Sequence, residues 1–213
     1  MEKPTKAKWD REQHLTRLFF EGRQEEDRYY VTGAIEWAIG LIPGYAVLSA
    51  QHVKTGVLWI FEEFPFWTVQ TVGMEKPLWE FFRTAWKKYL CRYFYYSNPK
   101  DHSRFLRQVY QEPLIRSHPV FVEAEYASKA HDRLDNLILE YQRQGKIKID
   151  KEAGDREIIG NLYDQLSEKH KGLVLDEDTI PGIKALRCLL AGITKHPYQK
   201  PMMTDEEIPK SYV

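Results

Sequence analysis

The seven histidines are the residues of this chain whose type could support metal or acid–base chemistry. None lies in an HExxH motif, and none has a glutamate three residues before it, so the Glu-x-x-His signature of di-iron helical bundles is missing. His131 differs from the others because it falls on an apolar helical spacing with Asp135 one turn later. This spacing favours a core or interface histidine held by a carboxylate. A helical-bundle metalloenzyme that uses His131 with carboxylates is the alternative.

Motifs for phosphate binding and nucleophilic catalysis are missing from the sequence. No GxxxxGK[ST], GxGxxG or GxSxG pattern occurs. The adjacent carboxylates Glu62-Glu63 and Glu206-Glu207 point apart on a strand or a helix, so neither pair makes an acid–base site by itself. We therefore expect no catalytic, cofactor-binding or metal-ligating residues, no cofactor, and a protein that is not an enzyme.

Composition narrows the class of protein further. The chain has 213 residues, equal numbers of basic and acidic residues and a pI near 7.1. This balance argues against a dedicated nucleic-acid binder, which would show a basic excess, although it leaves room for a local basic patch. The two cysteines, Cys91 and Cys188, have no zinc-site spacing. Their pattern favours two buried thiols, with a single disulfide left open.

The segment 79–96 combines aromatic rings with basic side chains. Its four basic residues could bind and stack on single-stranded nucleic acid, which would suit an RNA- or ribosome-associated protein. They could also snorkel outward from an amphipathic helix whose rings point inward. Zero net charge and a one-sided ring face favour the second use. A third use is an anchor against a membrane protein or lipid headgroups.

Helical periodicity places these rings on one face. Pro77 suits the first turn of a helix. A step of about 100° per residue then aligns one apolar face, made of Leu78, Phe82, Trp86, Tyr89, Tyr93 and Tyr96. Residues 119–144 repeat apolar positions at 4-3 spacing up to Gly145, which predicts a second helix. The fold class predicted is therefore all-α: an extended helical hairpin of residues 78–96 and 119–144.

Shorter elements flank the hairpin in this interpretation. Residues 34–50 fall short of a membrane span and are interpreted as two short helices broken at Pro43-Gly44, with an interfacial position on a membrane as the alternative. Residues 57–69 are interpreted as extended or irregular. Further helices are expected over 10–27, after Asp155 and from Pro181. The predicted division is 1–72 (N-terminal extension), 73–150 (hairpin core) and 151–213 (C-terminal helices and Pro-rich tail).

The order of these motifs resembles one family. The run PLWEFF at 77–82, RYFYY at 92–96, a Pro-containing connection and VEAE at 122–125 resemble the PDSW-type accessory subunit, subunit 10 of the beta subcomplex of mitochondrial NADH:ubiquinone oxidoreductase (complex I). The match covers about residues 70–145. The family has a cysteine just before its Glu-Ala-Glu helix, where this chain has Val120.

The resemblance implies a non-catalytic subunit that supports assembly and stability of the complex I membrane arm. It implies a place at the mitochondrial inner membrane, on the intermembrane-space side. Its partners would be other subunits, with peripheral membrane contact, no nucleic acid and no small-molecule substrate. The interface residues expected are Trp79, Phe82, Trp86, Tyr89, Tyr93, Tyr96 and His131.

Overall fold

The computed structural model describes residues 5–7, 29–37, 43–66, 75–89, 91, 93–97, 120–124, 131–150, 153, 162–170 and 181–197. Within these residues the strands are β1 (Thr5–Ala7), β2 (Tyr29–Glu36), β3 (Gly44–His52), β4 (Leu58–Phe66), β5 (Tyr93–Tyr96), β6 (Val120–Glu123) and β7 (Ile147–Asp150). The helices are α1 (Glu75–Tyr89), α2 (His131–Arg143), α3 (Leu162–His170) and α4 (Pro181–Lys195). The all-α prediction is therefore wrong, and the fold is α/β.

One mixed sheet organises these elements. Its strand order is β1-β7-β4-β3-β2-β5-β6. Strand β3 is antiparallel to both of its neighbours, and every other adjacent pair is parallel. All strands except β3 therefore point the same way, and their carboxyl ends lie along one edge of the sheet. We call this the carboxyl edge.

The predicted short helices in residues 34–50 are wrong, because this region forms parts of β2 and β3. Residues 30–36 are buried without interruption. A strand covered on both faces has no polar–apolar alternation, and a short apolar run of this kind looks the same as a buried helix segment in sequence. The helix expected over 10–27 lies outside the described residues. Residues 58–66 form β4, in agreement with the extended interpretation.

The predicted helical hairpin is wrong for a related reason. Helix α1 ends at Tyr89, and Tyr93–Tyr96 forms β5 beside β2. Four consecutive aromatic residues are strong strand formers, and here strand pairing overrides the helical spacing. Likewise Val120–Glu123 forms β6, and the described helix α2 spans His131–Arg143.

Helices cover the sheet on both faces. On one face α1 packs Leu78, Phe82, Ala85 and Tyr89 against the sheet. On the other face α4 crosses β2, β3 and β5, and α2 and α3 contact α4. Gly192 permits the close approach of α4, because a Cβ atom there would lie 2.1 Å from the ring of Tyr95.

The two cysteines are buried and free, one in each of the two apolar cores. In the part of the chain that the structure describes, no helix is both long enough and apolar enough to cross a bilayer. The division into 1–72, 73–150 and 151–213 stays a prediction.

Candidate functional site

A row of polar side chains crosses the α4 face of the sheet near the carboxyl edge. Glu63, Tyr45 and Glu36 lie on β4, β3 and β2, and Ser97 directly follows β5. Tyr45 and Glu36 are cross-strand partners, so their side chains share one face. Hydrogen bonds join Tyr45 to Glu63 and Ser97 to Glu36. The row thus consists of two hydrogen-bonded pairs side by side.

The Glu36–Ser97 pair lies where two adjacent parallel strands end. Ile35 pairs with Tyr96 across β2 and β5, so the next residue of each strand is also adjacent. Ser97 Oγ donates a hydrogen bond to Glu36 Oε2 at 2.7 Å. Glu36 is 8% exposed. Burial raises the pKa of Glu36, while the Ser97 hydrogen bond and the charges of Lys184 and Arg187 oppose that rise.

Helix α4 runs antiparallel to β5 and carries its first turns to the same edge. Gly192 lies over Tyr95, and Cys188, one turn earlier, is near Ser97, whose hydrogen bonds act on its thiol. Lys184, one further turn earlier, is close enough for its charge to act on Glu36. Residues four apart share a helix face, so one stripe of α4 faces this part of the sheet. Burial raises the pKa of the Cys188 thiol, which is thereby kept neutral.

Arg187 brings a second cation to this end of α4. Its Nε and Nη2 atoms each donate to one carboxylate oxygen of Asp135, at 2.6 Å in both cases. Such a bidentate geometry fixes the guanidinium plane. Arg187 is 2% exposed, and Asp135 comes from α2. The sequence interpretation paired Asp135 with His131, whereas the structure joins it to Arg187. The side chain of His131 lies outside the described residues.

Glu63, the other carboxylate of the row, binds the first turn of a helix. Its Oε2 atom accepts a hydrogen bond from Tyr45 and one from the backbone N–H of Leu162 at 2.8 Å. Leu162 begins α3, so the carboxylate satisfies a helix N-terminus and interacts well with its dipole. Burial, followed by the charge of Glu63, raises the pKa of the Tyr45 hydroxyl, which keeps it protonated as a donor.

We call Glu36, Ser97, Lys184 and Arg187 the carboxyl-edge site. None of them was predicted as a site residue. The sequence holds one signal: Glu36 ends a buried apolar run, and Ser97 ends an aromatic one. Their contact spans 61 positions of sequence and follows from strand pairing alone.

The predicted interface residues are spread over α1, β5 and α2, in which His131 is the first residue. Phe82 and Tyr89 lie in the core between α1 and the sheet, and partly buried residues pack around the two cores, namely Trp79, Tyr93 and Tyr96. Trp86 is half-buried on α1. Packing within the chain does not show whether these residues contact another protein, so the interface assignment stays a prediction.

This chain is similar to known proteins in structure but not detectably in sequence. No protein-family model matches the sequence, and neither does any curated protein. The nuclease domain of the large terminase g2p from bacteriophage SPP1, with bound Mn, matches with a TM-score of 0.57 and 12% identity, over 91% of this chain and 95% of that one. The human cytomegalovirus terminase nuclease domain matches with a TM-score of 0.53 and 8% identity, over 86% and 95%. The P22 large terminase nuclease domain matches with 0.51 and 10%, over 81% and 84%.

These matches overturn the resemblance to the complex I subunit and what it implied. The predictions of a non-catalytic respiratory subunit, of complex I partners and of an inner-membrane location are wrong, because the fold is that of terminase nuclease domains. The predictions of no enzyme activity and no nucleic acid fail with them, since the matching domains are nucleases. The helical RNA-associated protein and the helical-bundle metalloenzyme do not fit the sheet either. The fold shown for this chain is the RNase H-like α/β fold.

Proposed function

We propose that this chain is a nuclease domain that hydrolyses phosphodiester bonds of nucleic acid at the carboxyl-edge site. The observation that supports this most is the Glu36–Ser97 pair, which lies at the carboxyl ends of two parallel strands and near two cations of α4. Ligands of open α/β sheets bind outside the carboxyl ends of the strands. The likeness of the fold to terminase nuclease domains supports the same activity.

The cations of α4 suit the binding of a phosphate group. Lys184 provides a point charge on a flexible stem, and Arg187 is held in place by Asp135. Together they create positive potential where the negatively charged backbone of nucleic acid would approach.

Glu36 suits the role of general base. Hydrolysis requires a water oxygen to attack phosphorus while the bond from phosphorus to one ester oxygen breaks. In our proposal the Glu36 carboxylate accepts the proton of that water, and the leaving oxygen takes a proton from solvent. Burial raises the pKa of Glu36 towards neutral pH. A general base works best when its pKa lies near the pH of the reaction. The Ser97 hydroxyl orients the carboxylate through its hydrogen bond.

The SPP1 nuclease domain is described with bound Mn, so the fit of such an ion to this site must be judged from its donors. Ions of this type prefer several oxygen ligands, mainly carboxylates. The carboxyl-edge site supplies one carboxylate and one hydroxyl beside an ammonium and a guanidinium group. Across the described residues, no group of three His, Cys, Asp or Glu side chains is arranged to hold a metal. These donors do not fit a divalent cation, and no step proposed here passes through one.

A cleavage assay tests the proposed function. The full chain would be incubated with plasmid DNA and with labelled single- and double-stranded DNA and RNA, in Mg²⁺, in Mn²⁺ and in EDTA. We expect cleavage by the wild type and a loss of about 100-fold or more in Glu36→Gln, which removes the base. Glu140→Gln changes an exposed carboxylate of α2 and serves as the matched control. A wild type that cleaves none of these substrates would refute the proposal.

A further inference from the structure

We infer that Lys184, and not a divalent cation, supplies the positive charge beside Glu36 that neutralises a bound phosphate. The inference deepens the proposed function and rests on its choice of site. It concerns how the site recognises the phosphate, so it can be tested apart from cleavage. Its basis is the set of side chains that surround Glu36 in the structure.

Two carboxylates near Glu36 in the part of the chain that the structure describes already bind other groups. Glu63, the nearest carboxylate along the polar row, accepts hydrogen bonds from Tyr45 and from the N–H of Leu162. Asp135 accepts two hydrogen bonds from Arg187. Moving either carboxylate towards Glu36 would leave a buried donor without its partner, which is costly. Among the described residues of the carboxyl-edge site, Glu36 is therefore the one carboxylate.

The electrostatics of the site also oppose a divalent cation. Glu36 carries at most one negative charge, while Lys184 and Arg187 bring two positive charges close enough to act on it. Asp135 compensates the charge of Arg187, so an added ion of charge +2 would be repelled chiefly by Lys184. A phosphate group carries the opposite sign, and ionised donors bind it through short, charge-assisted hydrogen bonds. The same arrangement that rejects a cation thus favours an anion.

The backbone holds Lys184 in this place. Cys188, one turn later on the same stripe of α4, is fully buried near Ser97, and Gly192 lies in contact with the ring of Tyr95. These two contacts fix the height of α4 above β5 and its rotation about its own axis. Lys184 is half-buried two turns before Gly192 on this stripe, and a lysine in such a position can pack its stem while its ammonium group stays in water.

Two measurements on the full chain test the inference. The first follows free Mn²⁺ by its electron paramagnetic resonance signal during titration, with the wild type and with Glu36→Gln. The second measures binding of a fluorescent single-stranded oligonucleotide in EDTA, with the wild type, Lys184→Gln and Lys87→Gln. Lys87 is an exposed lysine of α1 on the opposite face of the sheet, so its variant removes the same charge elsewhere.

We expect no Mn²⁺ bound through Glu36 at concentrations on the order of 1 mM, where even weak protein sites are occupied. We expect oligonucleotide binding to persist in EDTA, and Lys184→Gln to weaken it about tenfold, as for a lost hydrogen bond to a charged group. Lys87→Gln should leave binding near the wild-type value. Mn²⁺ binding by the wild type that disappears in Glu36→Gln would overturn the inference. Binding in EDTA that is absent, or that Lys184→Gln leaves unchanged, would do so as well.

The outcomes separate this inference from the proposed function. A chain that binds the oligonucleotide in EDTA through Lys184 but cleaves no substrate would refute the nuclease proposal and retain the inference. A chain that cleaves only with Mn²⁺ bound at Glu36 would retain the nuclease and refute the inference.

Discussion

Asp135 of α2 and Arg187 of α4 form a bidentate ion pair with two N–O distances of 2.6 Å. The pair joins two helices that lie on the same face of the sheet. It holds the guanidinium group of the carboxyl-edge site in one orientation. Because Arg187 is almost fully buried, the Asp135 carboxylate compensates a charge that water scarcely reaches.

We predict that Asp135→Ala destabilises the fold by about 3 kcal/mol, because it removes the carboxylate that accepts two hydrogen bonds from the buried guanidinium group. Arg187→Met should cost less, since it removes the buried charge and keeps an apolar stem. Urea denaturation followed by circular dichroism would measure both. The control is Glu80→Ala, which breaks the exposed Arg83–Glu80 pair of α1 and should cost less than about 1 kcal/mol. Equal losses in Asp135→Ala and Glu80→Ala would contradict the prediction.

The contact between Gly192 and Tyr95 gives a second prediction. A Cβ atom at position 192 would meet the tyrosine ring at 2.1 Å. We expect Gly192→Ala to destabilise the fold by about 1–3 kcal/mol, although alanine is the better helix former. The double variant Gly192→Ala with Tyr95→Ala should be less destabilised than the sum of the single variants. Thermal or urea denaturation of all four proteins would measure this coupling. If the losses of unfolding free energy in the two single variants simply add up in the double variant, the contact is not tight.

The pH dependence of stability follows from the environment of Glu36. Burial raises its folded-state pKa above the ordinary value. The protonated form is therefore favoured by folding, and its contribution to stability is full below the unfolded pKa and lost as the pH rises through the folded pKa. The wild type should lose stability relative to Glu36→Gln across this window. Urea denaturation of both proteins between about pH 4 and pH 8 would measure the difference. A difference that is constant with pH would contradict it.

Replacing the ammonium group by a carboxylate should change the ion preference of the carboxyl-edge site. We expect Lys184→Asp to place a second carboxylate near Glu36 and to create a site for Mn²⁺ that the wild type lacks. Titration followed by electron paramagnetic resonance would detect it. Lys87→Asp makes the same change on the other face of the sheet and should bind no ion. If Lys184→Asp folds and still takes up no Mn²⁺, position 184 does not lie beside Glu36 as we propose.

The sequence alone predicted structure correctly where neighbouring residues determine it. The apolar spacing after Pro77 predicted a helix that the structure has as α1, and Pro181 begins the last described helix as expected. Gly145 lies just beyond the end of α2 and has a φ of 63°. This left-handed conformation is typical of a glycine that ends a helix, as predicted. In each case the signal comes from neighbouring residues, namely a fixed φ, a positive φ or a repeat at helical spacing.

The sheet and the site were missed because they depend on contacts between distant parts of the chain. Tyr93 and Tyr96 fit the helical face of the preceding segment, and only pairing with β2 makes that segment a strand. Glu36 and Ser97 meet across 61 positions, so no local spacing marks them as a pair. The match of 77–82 and 122–125 to a helical family relied on common residues in a common order. Such an order constrains neither strand pairing nor fold.

The two buried thiols have a practical consequence. Cys91 belongs to the core under α1 and Cys188 to the core under α4, and both are fully buried in the native structure. A thiol reagent can reach each cysteine only when the helix above it opens, so the labelling rates measure the opening of the two layers separately. Slower labelling of Cys188, but not of Cys91, in the presence of an oligonucleotide would show which layer the ligand stabilises. The chain thus carries its own pair of reporters for local unfolding.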